Sequence, residues 1–408
     1  MKEQLIERFL RYVHQCTTSC PSSNTTPSSP NQRSFMERLS HELEALGLQE
    51  VELDEWGCLM ATIPAQGAEK YHSVIGFIAH VDTSPDVSGE NIHPQRVECF
   101  DGQPILLLGS GEYLSEQEFP ELHEFRGHTL ITTDGTTLLG ADDKAGVAAM
   151  VTLADFLLQN TQIAHPKIRL GFTPDEEIGR GADHFSVERF GAHYAYTIDG
   201  GGMGIIECAN FNAASAHIEI TGRNTHPGYA KGVMVNAMEL ACRFANSLPQ
   251  GQKPETTSHS EGFFHLTALC GTVGSATMEY LIRDFQSSRF CERKREMEQL
   301  AEQLNQTYGP GTVQLTIHDQ YYNMADRIPP ELLEHSLRAM RAVGLTPRIE
   351  AIRGGTDGAR LSYMGLPTPN LFNGGMNFHS TKEYCSIDAL QKALETMVEL
   401  CRNTQKLF

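Results

Sequence analysis

Apolar positions along the chain recur with two different periods, and the switches between them mark out the elements. Residues 3–15 carry Leu5, Ile6, Phe9, Leu10 and Val13 at helical spacing, and 34–48 continue in that pattern up to Gly47. Residues 50–64 predict paired strands around Trp56 and Gly57. The run 74–79 is almost wholly apolar, the pattern of a strand buried on both faces of a sheet. After it, 84–126 has no period and predicts irregular structure, ending in two short strand-like runs at 129–132 and 137–139. A buried helix follows from Lys144, marked by Val147, Met150, Val151, Ala154 and Leu158. Residues 167–173 and 195–198 are again strands, each closed by acids, so the grammar is apolar strand, acidic tip, helix.

Near Asn210 that grammar changes. Strand, helix, two strands, helix and strand are predicted at 213–221, 234–247, 263–273, 277–285, 289–306 and 312–321. The order βαββαβ describes a ferredoxin-like unit. The first pattern then resumes with a helix at 329–343, strands at 347–352 and 369–372, and a final helix capped by Ser386. The expected division is a first domain built from 1–209 and 324–408, interrupted by an inserted unit at 210–323. The expected fold class is α/β with a mixed sheet.

Composition narrows the classes. A length of 408 residues suits two domains, and 40% hydrophobic residues suffice for full cores. No apolar run reaches bilayer length, and the amphipathic start MKEQLIERFLRYVHQC is not a signal peptide, so a cytoplasmic protein without membrane partners is expected. Ten cysteines without a CxxC pair read as reduced thiols. A net charge of −19 argues against nucleic acid as a partner and is eased if some acids surround a cation.

The strand tips supply the chemistry. His80 and Asp82 close the run at 74–79, Asp142 and Asp143 precede the helix, Asp175, Glu176 and Glu177 follow Pro174, Asp199 precedes three glycines, and His379 comes late. In a parallel sheet such tips converge, and ligands collect there. Two negative charges about 4 Å apart repel by roughly 4 kcal/mol at an effective dielectric of 20, so this many carboxylates need protons or cations. Imidazoles and carboxylates without thiolates suit Zn²⁺, Mn²⁺ or Co²⁺, and there are enough carboxylates for two ions sharing one bridge. Each piece alone has a plainer reading: a helix N-terminus at Asp175–Glu177, a turn at Asp142, a flexible loop at Asp199, a surface histidine at His379. Their joint occurrence favours metal.

The ordered motifs HVDTSP, TLLGADDKAG, FTPDEEIGRGA, YTIDGGG, NTHPGYAKG, IRGGTDGARLS and PNLFNGGMNFHS resemble the aminoacylase/carboxypeptidase-like zinc peptidases, and among them the tripeptide aminopeptidases. The likeness runs from the first helix to Ser386 and takes in segments without chemistry such as EGFFHL and YYNM. It implies two zinc ions per subunit, with Co²⁺ or Mn²⁺ as substitutes. Asp142 would bridge one ion held by His80 and Asp199 and a second held by Glu177 and His379. Asp82 would orient His80, Glu176 would act as general base, and the Asp142–Asp143 peptide would be cis. His226 matches a lid histidine that supports the oxyanion, and Arg283 and Arg353 match groups that hold the carboxylate end of a peptide. His226 has a plainer reading as a turn residue beside Pro227, and each arginine one as a structural ion pair. The inserted unit would be a lid through which relatives often pair as homodimers. Two departures stand out: Ser380 follows His379 where glycine is expected, and the Ser/Thr/Pro-rich tract 17–29 is unusual.

The expected function is therefore a metal-dependent aminopeptidase that releases the N-terminal residue of tripeptides. A dipeptidase, carboxypeptidase or aminoacylase on the same framework is the alternative, and a catalytically silent metal-binding homologue a more distant one.

Overall fold

A computed structural model describes residues 1–67 and 73–402. The chain separates into two compact units, one containing Met1–Cys208, Asp326–Glu350 and the chain from Thr356 onward, the other Ala209–Ala325 with Ala351–Gly355.

The first unit is built on an eight-stranded mixed sheet. Its centre is parallel: Ile168–Thr173, Ile75–His80, Tyr194–Gly200 and Asn370–Phe372 lie side by side and run the same way. Gln49–Leu53 and Leu59–Ile63 extend one side antiparallel, while Ile205–Asn210 and Arg348–Ile352 complete the other. Every residue of Ile75–His80 and Ile168–Thr173 is buried, the first as its apolar run requires, the second with Arg169 donating from Nε to the Phe190 carbonyl at 2.7 Å. Gly76 allows close packing: a Cβ there would lie 2.5 Å from Cε1 of Phe190. The helix Ala141–Gln159 packs on these central strands, and the helices Lys2–Val13 and Ile387–Arg402 pack against it in turn. Enclosed on all sides, it is apolar nearly all round. The last helix starts where Oγ of Ser386 accepts the amide of Ala389 at 3.2 Å.

Four stretches differ from the sequence expectation. Residues 137–139 form a loop, in which the Leu138 amide donates to the Ser88 carbonyl and the Leu139 amide to the Glu383 carboxylate instead of to a neighbouring strand. The passage at 84–126 holds the short strand Gln95–Val97, which pairs with Leu130–Thr132 in a second sheet with Tyr384–Ser386 and Gly375–Met376, and a small hairpin, Ile105–Leu106 with Tyr113–Leu114. Strand Ile205–Asn210 and helix Asp357–Tyr363 were not expected. Elements of two or three residues are shorter than any period that could announce them.

The second unit has the ferredoxin-like arrangement. Phe263–Gly271, Ser275–Asp284, Asn212–Thr221 and Val313–Tyr321 form an antiparallel sheet in that order. Helices Ala237–Ser247 and Ser287–Tyr308 bury Ile218, Ile220, Met278 and Ile282 between themselves and the sheet. From Ala214 to Thr221 side chains alternate buried and accessible, as a sheet covered on one side demands. The α/β class with an inserted βαββαβ unit is thus borne out.

Candidate metal centre

The parallel strands bring their C-terminal tips together. His80 ends one strand, and Asp199 lies near the end of its neighbour. A third strand passes through Pro174 and Asp175 into the turn Glu176–Ile178. Asp142 enters just before the regular part of the long helix, with a cis peptide to Asp143. His379 follows the short strand Gly375–Met376. Where glycine is absent after His379, the left-handed backbone is adopted by Asn377 (φ 54°) and His379 itself (φ 58°).

These residues form two adjoining clusters that share one carboxylate. Nε2 of His80 lies 2.8 Å from Oδ1 of Asp142 and 3.5 Å from Oδ1 of Asp199. Nε2 of His379 lies 3.3 Å from Oδ2 of Asp142 and 2.7 Å from Oε2 of Glu177. In each cluster, one donor atom from every residue lies within 4.8 Å of the others. His80 is fully enclosed, whereas the His379 side chain is 39% exposed, so one face of the pair opens to solvent.

The electrostatics show what this crowding does. Burial would raise Asp142, but hydrogen bonds from His379 and His80 outweigh it and hold the carboxyl well below the usual range. Asp199 is pushed up to about 7 and Glu177 to about 8, each by burial first and by the Asp142 charge second. Burial also drives Glu176 well above its ordinary value, with the Asp199 and Asp357 charges adding to the shift. His379 rises to about 11 through its hydrogen bonds to Asp142 and Glu177. Oε1 of Glu177 is buried with no hydrogen-bond partner among the described residues. A buried acceptor without a donor, in a set of nitrogen and oxygen atoms without sulfur, fits zinc-like divalent cations.

Supporting contacts hold these loops, and several were not legible beforehand. Nδ1 of His80 lies 3.1 Å from the Asp82 carbonyl oxygen and 3.3 Å from its Oδ1. The Asp82 carboxylate also accepts the amides of Glu176 at 3.0 Å and Glu177 at 3.1 Å, so it fixes the turn that carries both glutamates. Asp143 accepts from Asn373 Nδ2 at 2.9 Å. Asp175 accepts the Ser28 amide at 2.7 Å and Gln32 Nε2 at 2.7 Å, and Arg180 donates to the Ser23 carbonyl at 2.8 Å. The unusual Ser/Thr/Pro-rich tract is therefore tied to the Glu176–Glu177 loop. Glu383 accepts backbone amides from the segment leading into Asp142.

The three expected substrate residues all lie in the second unit. His226 is exposed, with Nδ1 accepting the Gly228 amide at 3.1 Å. Arg283 donates from Nη1 to the Arg353 carbonyl at 2.8 Å. Arg353 stacks over Phe211 at 5.1 Å and donates to the His259 carbonyl and to Thr257 Oγ1. Much of its guanidinium is thus engaged in holding the loop before Phe263.

Sheet order, inserted unit and paired clusters together define a two-unit α/β protein whose larger unit carries a candidate site for two cations. Residues 208–312 match the family model described as a peptidase dimerisation domain. The whole chain superposes on an aminopeptidase PepT from Bacillus cereus (TM-score 0.78, 24% identity, covering 100% of this chain and 99% of that one) and on a tripeptidase from Staphylococcus aureus (0.79, 21%, the same coverage), which share its fold. Peptidase T of Geobacillus kaustophilus is 49% identical over 98% of each chain, and peptidase T of Caldanaerobacter subterraneus is 50% identical over 97% of this chain and 98% of its own. The chain belongs to the peptidase T family.

Proposed function

We propose that the chain is a di-zinc aminopeptidase that removes the N-terminal residue from tripeptides. The observation that carries this reading is the division of Asp142, one carboxylate oxygen towards each imidazole, supported by kinship with peptidase T. His80 and Asp199 would hold one cation, Glu177 and His379 the other, with Asp142 spanning both. Two such cations supply polarisation of the peptide carbonyl and a water acidic enough to be deprotonated near neutral pH.

The chain's own groups do the rest. Glu176, displaced upward by burial, is suited to take the proton from the attacking water and return it to the leaving amine. Asp82 keeps Glu176 and Glu177 in register by binding their amides. For His226 the proposed role is donation to the oxygen on which charge develops, and for Arg283 and Arg353 recognition of the peptide's carboxylate end. A homodimer through the second unit and a cytoplasmic location complete the proposal.

Glu176→Gln tests it: metal content should equal that of the unaltered protein while tripeptide turnover disappears. Digesting di-, tri- and tetrapeptides with free or blocked ends reads specificity. Release of the C-terminal residue, or equal cleavage of N-blocked peptides, would refute the aminopeptidase assignment.

A further inference from the structure

Glu383 is buried, and its carboxylate is surrounded by backbone donors. Oε2 accepts the amides of Leu139 at 2.7 Å and Gly140 at 2.9 Å, and Oε1 those of Ala141 at 2.7 Å and Asp142 at 3.2 Å. Four successive amides converge on one anion because Gly140 adopts the left-handed conformation (φ 79°, ψ 29°) and turns the chain around it. Without an acceptor these amides would be orphaned in the interior.

The backbone of Glu383 is equally committed. Its amide donates to the Ser380 carbonyl at 3.3 Å, one residue after His379, and its carbonyl accepts from Thr133 at 3.3 Å. The next residue, Tyr384, pairs with Thr132 in the small sheet. One residue therefore ties the segment bearing Asp142 to the segment bearing His379.

We propose that Glu383 is a positioning residue of the metal centre: its carboxylate, gripping the amides of residues 139–142, sets where Asp142 stands relative to His379. The proposal rests on the two-cation reading given above. Geometry also specifies the side chain. Glutamine would place an amide NH₂ against two backbone N–H donors, and aspartate is one methylene too short to serve all four.

Titration of chelator-stripped protein with Co²⁺, followed by visible absorption and calorimetry, tests this. The unaltered protein should bind two equivalents. Glu383→Gln, with metal-free circular dichroism unchanged, should bind one of them at least about ten-fold more weakly and with a changed absorption band. Two equivalents bound with unaltered affinity and spectrum would overturn the proposal. Should Glu383→Gln not fold, the same comparison passes to Glu383→Asp, where unaltered Co²⁺ affinity and spectrum overturn it equally. Fewer than two equivalents in the unaltered protein would instead refute the two-cation reading itself.

Discussion

Oδ1 of Asp142 lies 2.8 Å from Nε2 of His80, which leaves Oδ2 free to face the opposite way, 3.3 Å from Nε2 of His379. Each imidazole thus belongs to one cluster only. Replacing His379 by Ala should leave one bound cation per chain, held by His80, Asp142 and Asp199. Metal analysis after dialysis would show this, and loss of both cations would mean that the clusters are not separable.

Asp82 is fully buried and accepts two amides from the turn holding Glu176 and Glu177. Asp82→Ala orphans both donors, and a stability loss of about 2–4 kcal/mol is expected. Urea unfolding of metal-free protein measures it without interference from cation binding. A loss below about 1 kcal/mol would show that other acceptors or water replace the carboxylate.

Part of this centre is legible in the chain because His80 and Asp199 stand at the ends of strand-like runs. Residues 74–79 announce a buried strand, so His80 and Asp82 had to fall at its tip. Glu383 carries no such signal: its partners are four amides, and nothing in the identities of Leu139, Gly140 and Ala141 says that they need an anion. The tract 17–29 has no period, and its attachment to Asp175 depends on a contact between residues 147 positions apart. Strand Gln95–Val97 is too short to show alternation. The roles proposed for His226, Arg283 and Arg353 rest on family likeness, since their neighbours show only structural hydrogen bonds.

Packing beneath the centre is tight at Gly146. A Cβ there would stand 2.5 Å from the Ile198 carbonyl oxygen and 2.5 Å from Oδ1 of Asp143. Gly146→Ala should therefore push the long helix away from the strand bearing Asp199. A destabilisation of about 1–3 kcal/mol is expected, with weaker cation binding. Denaturant unfolding and Co²⁺ titration test the two effects separately.

His335 makes stability depend on pH at a place remote from the ligands. It is fully buried, with Nδ1 3.1 Å from the hydroxyl of Tyr196, and burial followed by the Arg338 charge pushes it down to about 4. Below about pH 6.5 the unfolded chain takes up a proton here that the folded chain does not. The stabilisation is complete above that value and is lost as pH falls towards 4. Between pH 7 and pH 5 the loss should be about 2 kcal/mol larger than in His335→Gln, by urea unfolding at both values. Equal losses in the two proteins would show that His335 is protonated in the fold.

In the proposed centre one carboxylate, that of Asp142, joins two cations. Equilibrium titration of metal-free protein with Zn²⁺, run beside Asp142→Asn, tests it most directly. Two equivalents per chain in the unaltered protein, with both weakened in the variant, are predicted; a single equivalent, or two that survive the Asp142 substitution unchanged, would contradict it.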